Sequence, residues 1–165
     1  NALSMIERGK TSPSVSTLYK LADALGVSIT AFFSAQEQSK QIVFLKSDER
    51  PHMPFPRGIF EGLGGEQFAG RIQPFVLTLE SGAFSGPSPI VHSGHEFVFC
   101  LRGKIEYHVE RQFFLLEAGD SLLFESKLRH RWRNPGDAVA TALVIISCFA
   151  EGETPHVMHW KPGKE

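Results

Sequence analysis

The sequence predicts a mainly β domain, a sandwich or barrel of short strands, preceded by a few short helices. From Gln41 onward, short apolar segments recur about every 8 to 12 residues with turn residues between them, which is typical of such a domain. Residues 1–34 instead show the periodicity of helices. The 14 phenylalanines, against 2 tyrosines and 2 tryptophans, also favour a packed β core.

Composition limits the functions that the chain can have. A net charge of −1 provides no general attraction to nucleic acid or membrane, so any such binding must be local. We expect no signal peptide and no membrane span, because no apolar run approaches the roughly 20 residues of a transmembrane helix. Cys100 and Cys148 lie in apolar runs, which favours buried, reduced thiols and a cytoplasmic protein.

Three short helices are expected in residues 1–34. The first ends at Gly9, and the second follows the turn at 11–14 and ends at Gly26. A third begins at Val27. Because three helices of this length cannot bury a core alone and the chain opens in helical sequence, we expect a longer native protein that begins upstream.

Residues 3–33, LSMIERGKTSPSVSTLYKLADALGVSITAFF, resemble the C-terminal half of the helix-turn-helix domain of phage-repressor-type (XRE) regulators. In that family the first helix present here is the recognition helix, whose start lies in the major groove. The resemblance implies that Asn1 and Ser4 lie nearest to bases, and that Arg8 and Lys10 contact phosphates. Since the family's first two helices are absent, the sequence as given should bind DNA poorly. The alternative is a helical cap that packs on the barrel.

The predicted domains are a helix-turn-helix portion at 1–34, a polar linker at 35–40 and a β domain at 41–165. A Pro-rich loop, 51–56, separates the first two expected strands. The strands are expected at residues 42–46, 58–63, 75–80, 96–101, 104–110, 113–116, 121–124, 128–133 and 140–149.

The segment HSGHEFVFCLRG contains the spacing His92-x3-Glu96-x6-Gly103. In a straight strand, residues i and i+4 lie about 13 Å apart, so the chain must bend at Ser93-Gly94 if the two side chains converge. His130 lies in the alternating segment KLRHRWR, whose four cations share one face. His130 is therefore expected on the opposite, inward face, where it could complete a three-ligand site.

These spacings resemble the two motifs of the cupin family, a double-sheet jelly roll or double-stranded β-helix. The first motif, G-x5-H-x-H-x3-E-x6-G, aligns with residues 90–103. The second, G-x5-P-x-G-x2-H-x3-N, aligns with residues 119–134. Ile90 stands in place of the family's first histidine, and Glu125 and Lys127 replace the usual proline and glycine.

Carried over residue by residue, the cupin resemblance implies a metal site built from His92, Glu96 and His130. Two histidines and a carboxylate can hold Zn, Fe, Ni or Mn with open positions for a ligand. The alternative is a metal-free pocket, in which the same groups hydrogen-bond an organic effector or each other. Three further residues are inward by alternation and should line the effector pocket: Val98, Cys100 and Trp132.

Four further histidines are expected to lie outside the ligand set, with a ligand role for His95 as the alternative. His95 is shifted by one residue to the face opposite Glu96, which predicts an exposed or rim position. His108 shares a strand face with charged residues and is expected to be solvated. His156 and His159 lie near the C-terminus and are expected to pack over a barrel mouth or a dimer partner.

A repressor-type helix-turn-helix followed by one cupin barrel resembles a class of bacterial and archaeal transcription regulators. The resemblance implies a homodimer that binds operator DNA and whose barrel senses a small-molecule effector, with or without a metal. One alternative is a mononuclear non-haem metal enzyme. Hydroxypropylphosphonate epoxidase also resembles a helical module fused to a cupin, with an iron site of His, Glu and His. A sugar-binding or structural barrel is a third interpretation.

Overall fold

A computed structural model describes residues 2–26, 40–155 and 159 of the chain. The chain divides into two compact units, residues 1–38 and 39–165. The predicted third helix, which begins at Val27, and most of the predicted linker lie outside the described residues. The boundaries proposed from the sequence therefore stay predictions.

The first unit contains helix α1 (Ala2–Glu7) and helix α2 (Val15–Leu25). Ser14 caps α2, because its hydroxyl accepts a hydrogen bond of 3.2 Å from the backbone N–H of Thr17. Gly26 follows α2 with a left-handed φ of 67°, as a C-terminal glycine should. Neither described helix is long and apolar enough to span a membrane.

The second unit is a double-sheet jelly roll, as the sequence predicts. One antiparallel sheet has the strand order β1-β2-β3-β9-β4-β7 and the other has the order β6-β5-β8. The strands are β1 (His52–Phe55), β2 (Gly58–Gly62), β3 (Ile72–Leu79), β4 (His95–Arg102), β5 (Lys104–Val109), β6 (Gln112–Glu117), β7 (Ser121–Glu125), β8 (His130–Arg133) and β9 (Ala140–Ser147).

Strict alternation on the central strands creates one core between the sheets. Strands β3 and β9 bury every second residue along their whole length. Their register also aligns side chains across the inner face, since cross-strand partners point to the same side. Gln73 faces Ile146, Ile146 faces Glu96, and Glu96 faces Phe124. A polar amide and a carboxylate therefore lie in one row of an otherwise apolar face.

The prediction of a first strand at residues 42–46 is wrong. This segment has no regular structure, and the side chains of Ile42 and Phe44 are 84% and 83% exposed. The first strand is instead β1, within the predicted Pro-rich loop. Proline is tolerated there because β1 is the edge of its sheet, where one side of the strand needs no hydrogen-bond partner.

The two cysteines differ. Both are free thiols and Cys100 is buried as predicted, but Cys148 is exposed, so the prediction for Cys148 is wrong. Cys148 follows the end of β9 with a left-handed φ of 56°. That turn shifts the alternation by one residue and buries Phe149 instead.

The basic segment that leads into β8 follows the predicted alternation. Arg131 and Arg133 are exposed, whereas His130 and Trp132 are buried. Arg133 donates two hydrogen bonds to Glu106, of 2.7 and 2.9 Å, and His108 also bonds this carboxylate. Arg133 is the main reason that the pKa of Glu106 falls from the ordinary 4.5 to about 2.

A Glu106→Gln variant tests this contact on the outside of the barrel. Because the folded pKa is depressed, the ionised group stabilises the fold above about pH 4.5, and this stabilisation is lost as the pH falls toward 2. Urea unfolding at pH 7 should show a loss of about 0.2–1 kcal/mol, which vanishes near pH 2. Glu151→Gln, at an exposed carboxylate, is the control. A loss of equal size at both pH values would contradict the assignment.

Candidate metal centre

The chain bends between His92 and Glu96, as their spacing requires. Gly94 has a left-handed φ of 85°, and a Cβ at this position would lie 2.2 Å from the carbonyl oxygen of Ser147. Only glycine fits this close approach to the strand beside it. The bend brings His92 Nε2 to 3.6 Å from Glu96 Oε2, with both side chains buried.

His130 reaches the same carboxylate from the opposite sheet. It begins β8, and its Nε2 lies 3.3 Å from Glu96 Oε2. Two backbone hydrogen bonds with Ile90 hold it in place: Ile90 N–H to His130 O at 2.8 Å, and His130 N–H to Ile90 O at 3.1 Å. The three predicted ligands are thus brought together, and Ile90, where the cupin pattern has a histidine, is itself buried.

A fourth side chain, His159, completes the cluster from the C-terminal segment. Its Nε2 lies 3.2 Å from Glu96 Oε2 and 3.1 Å from His92 Nε2, and the residue is only 3% exposed. The four ligand atoms all lie within 4.8 Å of one another. The sequence assigned His159 to packing, but the structure places it in the cluster. His156 lies outside the described residues.

We call His92, Glu96, His130 and His159 the tetrad. Two of its histidines are oriented by backbone carbonyls, which can only accept. His92 Nδ1 donates to Ser93 O at 2.9 Å, and His130 Nδ1 donates to Leu128 O at 2.8 Å. In the neutral imidazole the proton is then on Nδ1, and the Nε2 lone pair faces the centre. This is the orientation that a metal-binding histidine needs.

Tyr107 orients the carboxylate of Glu96. The buried hydroxyl of Tyr107 donates a 3.0 Å hydrogen bond to Oε1, which leaves Oε2 for the centre of the tetrad. Burial alone would raise the pKa of Glu96, but the three imidazoles that lie within 3.6 Å of Oε2, His159 foremost, hold it well below its usual value. Burial, and then the charge of Glu96, raise the pKa of Tyr107. At neutral pH the pair is therefore a carboxylate and a phenol.

Burial and the carboxylate of Glu96 also shift the pKa values of two histidines, His159 and His130. Burial lowers the pKa of His159, and the charge of Glu96 only partly opposes this shift. For His130 burial also acts downward, but the nearby charge of the Glu96 carboxylate raises the pKa overall. A neutral His159 can coordinate a metal, because only an unprotonated ring nitrogen can be a ligand.

The donor set fits a divalent metal. Among the described residues, Glu96 Oε2 and His130 Nε2 are buried without a hydrogen-bond partner of good geometry, which is costly unless another group or ion satisfies them. Around tetrahedral zinc, with ligands at about 2.0–2.1 Å, neighbouring donors lie about 3.3 Å apart. The distances from Glu96 Oε2 to the three Nε2 atoms, 3.6, 3.3 and 3.2 Å, are close to that spacing.

The predicted pocket residues point inward but do not border one common cavity. Val98 and Cys100 are fully buried in the core and line neither of the two cavities described for the barrel. Trp132 lines the larger, of about 490 Å³, together with Arg131 and Phe84. Their contact with an effector therefore stays a prediction.

The predicted DNA contacts lie at the end of α1 and just after it. Arg8 and Lys10 are exposed and Ser4 is partly buried. Asn1 lies outside the described residues. No described contact ties the side chains of Arg8 or Lys10 to a carboxylate, so these two cations are placed to face solvent.

Comparison with known families matches both parts of the chain. Residues 75–146 match a family described as a cupin domain, and residues 1–32 match one described as helix-turn-helix. The cupin match contains Glu96 and His130, and His159 lies beyond its end. The geometry of the tetrad therefore includes one residue that the family motif does not contain.

Individual relatives are similar over most of the chain. The HTH-type transcriptional regulator PuuR of Escherichia coli is 30% identical over 136 residues, which cover 81% of this chain and 72% of that protein. A solved HTH_3 family transcriptional regulator from Vibrio cholerae is 26% identical, with a TM-score of 0.50 and coverages of 88% and 78%. The solved FeII HppE is 21% identical, with a TM-score of 0.59 and coverages of 81% and 76%, and this likeness shows the fold alone.

A Tyr107→Phe variant tests the support of the carboxylate. Removing the hydroxyl leaves Glu96 Oε1 buried without its donor, so unfolding free energy should fall by about 1.5–3 kcal/mol. Thermal or urea unfolding measures this loss. Tyr19→Phe, at an exposed tyrosine of the helical unit, is the matched control and should change stability by less than about 0.5 kcal/mol. Equal effects of the two substitutions would contradict the role of Tyr107.

Proposed function

Because the chain belongs to the helix-turn-helix transcriptional regulators that carry a cupin domain, we propose that it binds operator DNA under the control of a metal-containing sensor barrel. The observation that carries the sensor proposal is the tetrad, four buried ligand-type side chains that converge inside the barrel. A purely structural barrel has no need for an ionised carboxylate at that depth.

Operator binding is assigned to the helical unit. In this proposal the start of α1 enters the major groove, where Asn1 and Ser4 contact bases. Arg8 and Lys10, exposed at its end, contact phosphates. Since operator DNA is in the cytoplasm of a bacterial or archaeal cell, we infer that the protein acts there.

The metal is assigned to the tetrad. Three imidazole nitrogens and one carboxylate oxygen suit Zn, Fe, Ni or Mn, and His92, Glu96, His130 and His159 would hold it. A metal that takes more than four ligands, such as Fe, Ni or Mn, would keep a coordination position open for an effector inside the barrel. The residues of the chain orient that position, because Ser93 O and Leu128 O fix two imidazoles.

A homodimer is supported by the outer face of the six-stranded sheet. Paired residues on β3, β9, β4 and β7 place apolar side chains side by side on that face, away from the core. Most are partly exposed and Leu123 is 68% exposed. A dimer would pair two DNA-binding units, so that effector and operator affinities become coupled. The face, which we call the outer apolar face, consists of Val76, Phe97, Phe99, Leu123, Leu143 and Ile145.

A Leu123→Glu variant tests the dimer. A charge on the outer apolar face should dissociate the homodimer, because it would be buried without a partner at the interface. Sedimentation velocity measures the change in oligomeric state. Phe113→Glu is the matched control, since Phe113 is 69% exposed but lies on β6 of the other sheet. A wild-type monomer, or equal dissociation by both variants, would contradict the proposed interface.

The proposed function is tested on protein expressed from the complete reading frame. We expect about one divalent metal per chain by mass spectrometry, and specific binding to DNA upstream of its own gene. His130→Ala should lose the metal and the response to effector but keep operator binding, whereas exposed His95→Ala should keep all three.

Two results would separate the alternatives. Stoichiometric iron with oxygen consumption and no operator binding would favour a non-haem metal enzyme over a regulator. Operator binding without any metal in the wild type would leave the regulator but remove the metal from its sensor.

A further inference from the structure

A second, largely apolar cavity is built on strands β1, β2 and β3. It has a volume of about 370 Å³, which is within the range of small-molecule sites in other proteins. The 3-10 turn at Gly65–Gln67 and the segment before β1 complete its walls. None of the four tetrad residues lines it, so a ligand bound here would be distinct from one that binds the metal.

Two phenylalanines form an aromatic corner of this cavity. The rings of Phe60 and Phe75 lie 5.1 Å apart at an angle of 74°, and both residues are buried. Two rings at nearly a right angle can contact a third ring by its face and by its edge, which are the arrangements that aromatic pairs prefer. Further apolar side chains complete the lining: Leu45, Pro51, Met53 and Pro74. The walls therefore suit a planar, apolar body.

The charges of the lining argue against an ionised ligand. Among the described residues, no lysine or arginine lines the cavity, and the imidazole of His52 already faces Glu61, with Nδ1 3.9 Å from Oε1. The one carboxylate in the described lining, Glu66, is exposed on the turn and has an interaction of its own. Burying a charge without a partner is costly. The buried amide of Gln73, which can both donate and accept, instead suits an uncharged hydrogen-bonding group.

The same cavity borders residues 40–45, which we call the connecting segment because they follow the helical unit in the sequence and lead into the barrel. Lys40 donates its N–H to Gln67 O at 2.8 Å, and its carbonyl accepts from the N–H of Ala69 at 2.9 Å. The Lys40 ammonium donates a further 3.0 Å hydrogen bond to Gln67 Oε1. Leu45 and Gln67 both line the cavity. The connecting segment is thus fastened to a turn of the cavity wall at one end and is itself part of that wall at the other.

We propose that this cavity binds an uncharged, planar aromatic molecule with one hydrogen-bonding group, and that this ligand holds the connecting segment on the barrel. Its ring packs against Phe60 and Phe75, and its polar group reaches the amide of Gln73. Because the ligand contacts both Leu45 and the turn that binds Lys40, it stabilises the state in which both are in place. Occupancy of the cavity can then alter operator binding, a last step that rests on the proposed function.

Indole is the probe, because it is uncharged and planar and carries a single N–H. Isothermal titration calorimetry on protein expressed from the complete reading frame should show about one indole bound per chain. Indole-3-carboxylate, with the same ring system and a negative charge, is the matched control and should bind at least about tenfold more weakly. Equal or tighter binding of the carboxylate, or tighter binding of tryptamine than of indole, would overturn the choice of an uncharged ligand. No binding of indole would overturn the site.

Two neighbouring substitutions locate the binding site. Leu45→Trp fills the cavity with a larger side chain and should weaken indole binding at least about tenfold, because the ligand loses its apolar contacts. Phe44→Trp is the matched control, since Phe44 is 83% exposed and does not line the cavity, and it should leave the affinity unchanged. Met53→Trp fills the cavity from β1 and should repeat the loss. Wild-type affinity in both Leu45→Trp and Met53→Trp would mean that indole binds elsewhere, which would overturn the inference.

Hydrogen exchange of backbone amides tests the hold on the connecting segment. The amides of Lys40 and Ala69 form the two backbone hydrogen bonds that fasten it. At an indole concentration ten times the dissociation constant, exchange at these amides should slow by up to about tenfold, since the ligand favours the fastened state. The amide of Leu128, which bonds Glu125 O in a turn outside the cavity, is the control and should not change. Unchanged exchange at Lys40 and Ala69 in the saturated protein would overturn this part of the inference.

The outcomes separate this inference from the proposed function. Indole binding and hydrogen exchange require neither metal nor DNA, so a protein that binds no operator would contradict the proposed function and leave the cavity and its ligand standing. In a protein that binds its operator, saturating indole should change the operator affinity, and Leu45→Trp should remove that change. An operator affinity that indole leaves unchanged would overturn the regulatory step.

Discussion

The ionised carboxylate of Glu96 is the constraint on which the rest of the barrel depends. An unpaired carboxylate in a dry interior would cost several kcal/mol, so a fold that buries one must surround it with compensating groups. Tyr107 supplies a hydrogen bond to one oxygen and three imidazoles surround the other. The three imidazole nitrogens and the carboxylate oxygen all lie within 4.8 Å of one another, around a point where a cation would satisfy all four at once.

Elements from distant parts of the chain meet at this point because the jelly roll brings them together. The register of β9 with β4 places Glu96 on the inner face, and the left-handed Gly94 turns His92 toward it. Strand β8 of the other sheet brings His130, and the segment after β9 brings His159. The two sheets and the bend before β4 supply three of the four side chains, and the segment after β9 supplies the fourth.

Local sequence rules predict the three side chains that the sheets and the bend before β4 position. Alternation in KLRHRWR is enough to place His130 inward. Gly94, two residues after His92, is enough to predict the bend toward Glu96. The rules fail where tertiary contacts decide. The sequence around His159 has no hydrophobic periodicity that would predict an inward side chain. The one indication of a missing ligand is Ile90, which stands where the cupin motif has its first histidine. In the same way, the apolar segment at 42–46 has the pattern of a strand, but none of the described strands pairs with it.

The central claim is that the chain holds a metal through three imidazoles and one carboxylate, one imidazole coming from the C-terminal segment. X-ray absorption spectroscopy at the edge of the bound metal, in the purified protein and in His159→Ala, tests this claim most directly. The account predicts three histidine nitrogens in the wild type and two in the variant. An unchanged count of histidine ligands in the variant, or a wild-type protein with no metal to measure, would contradict it.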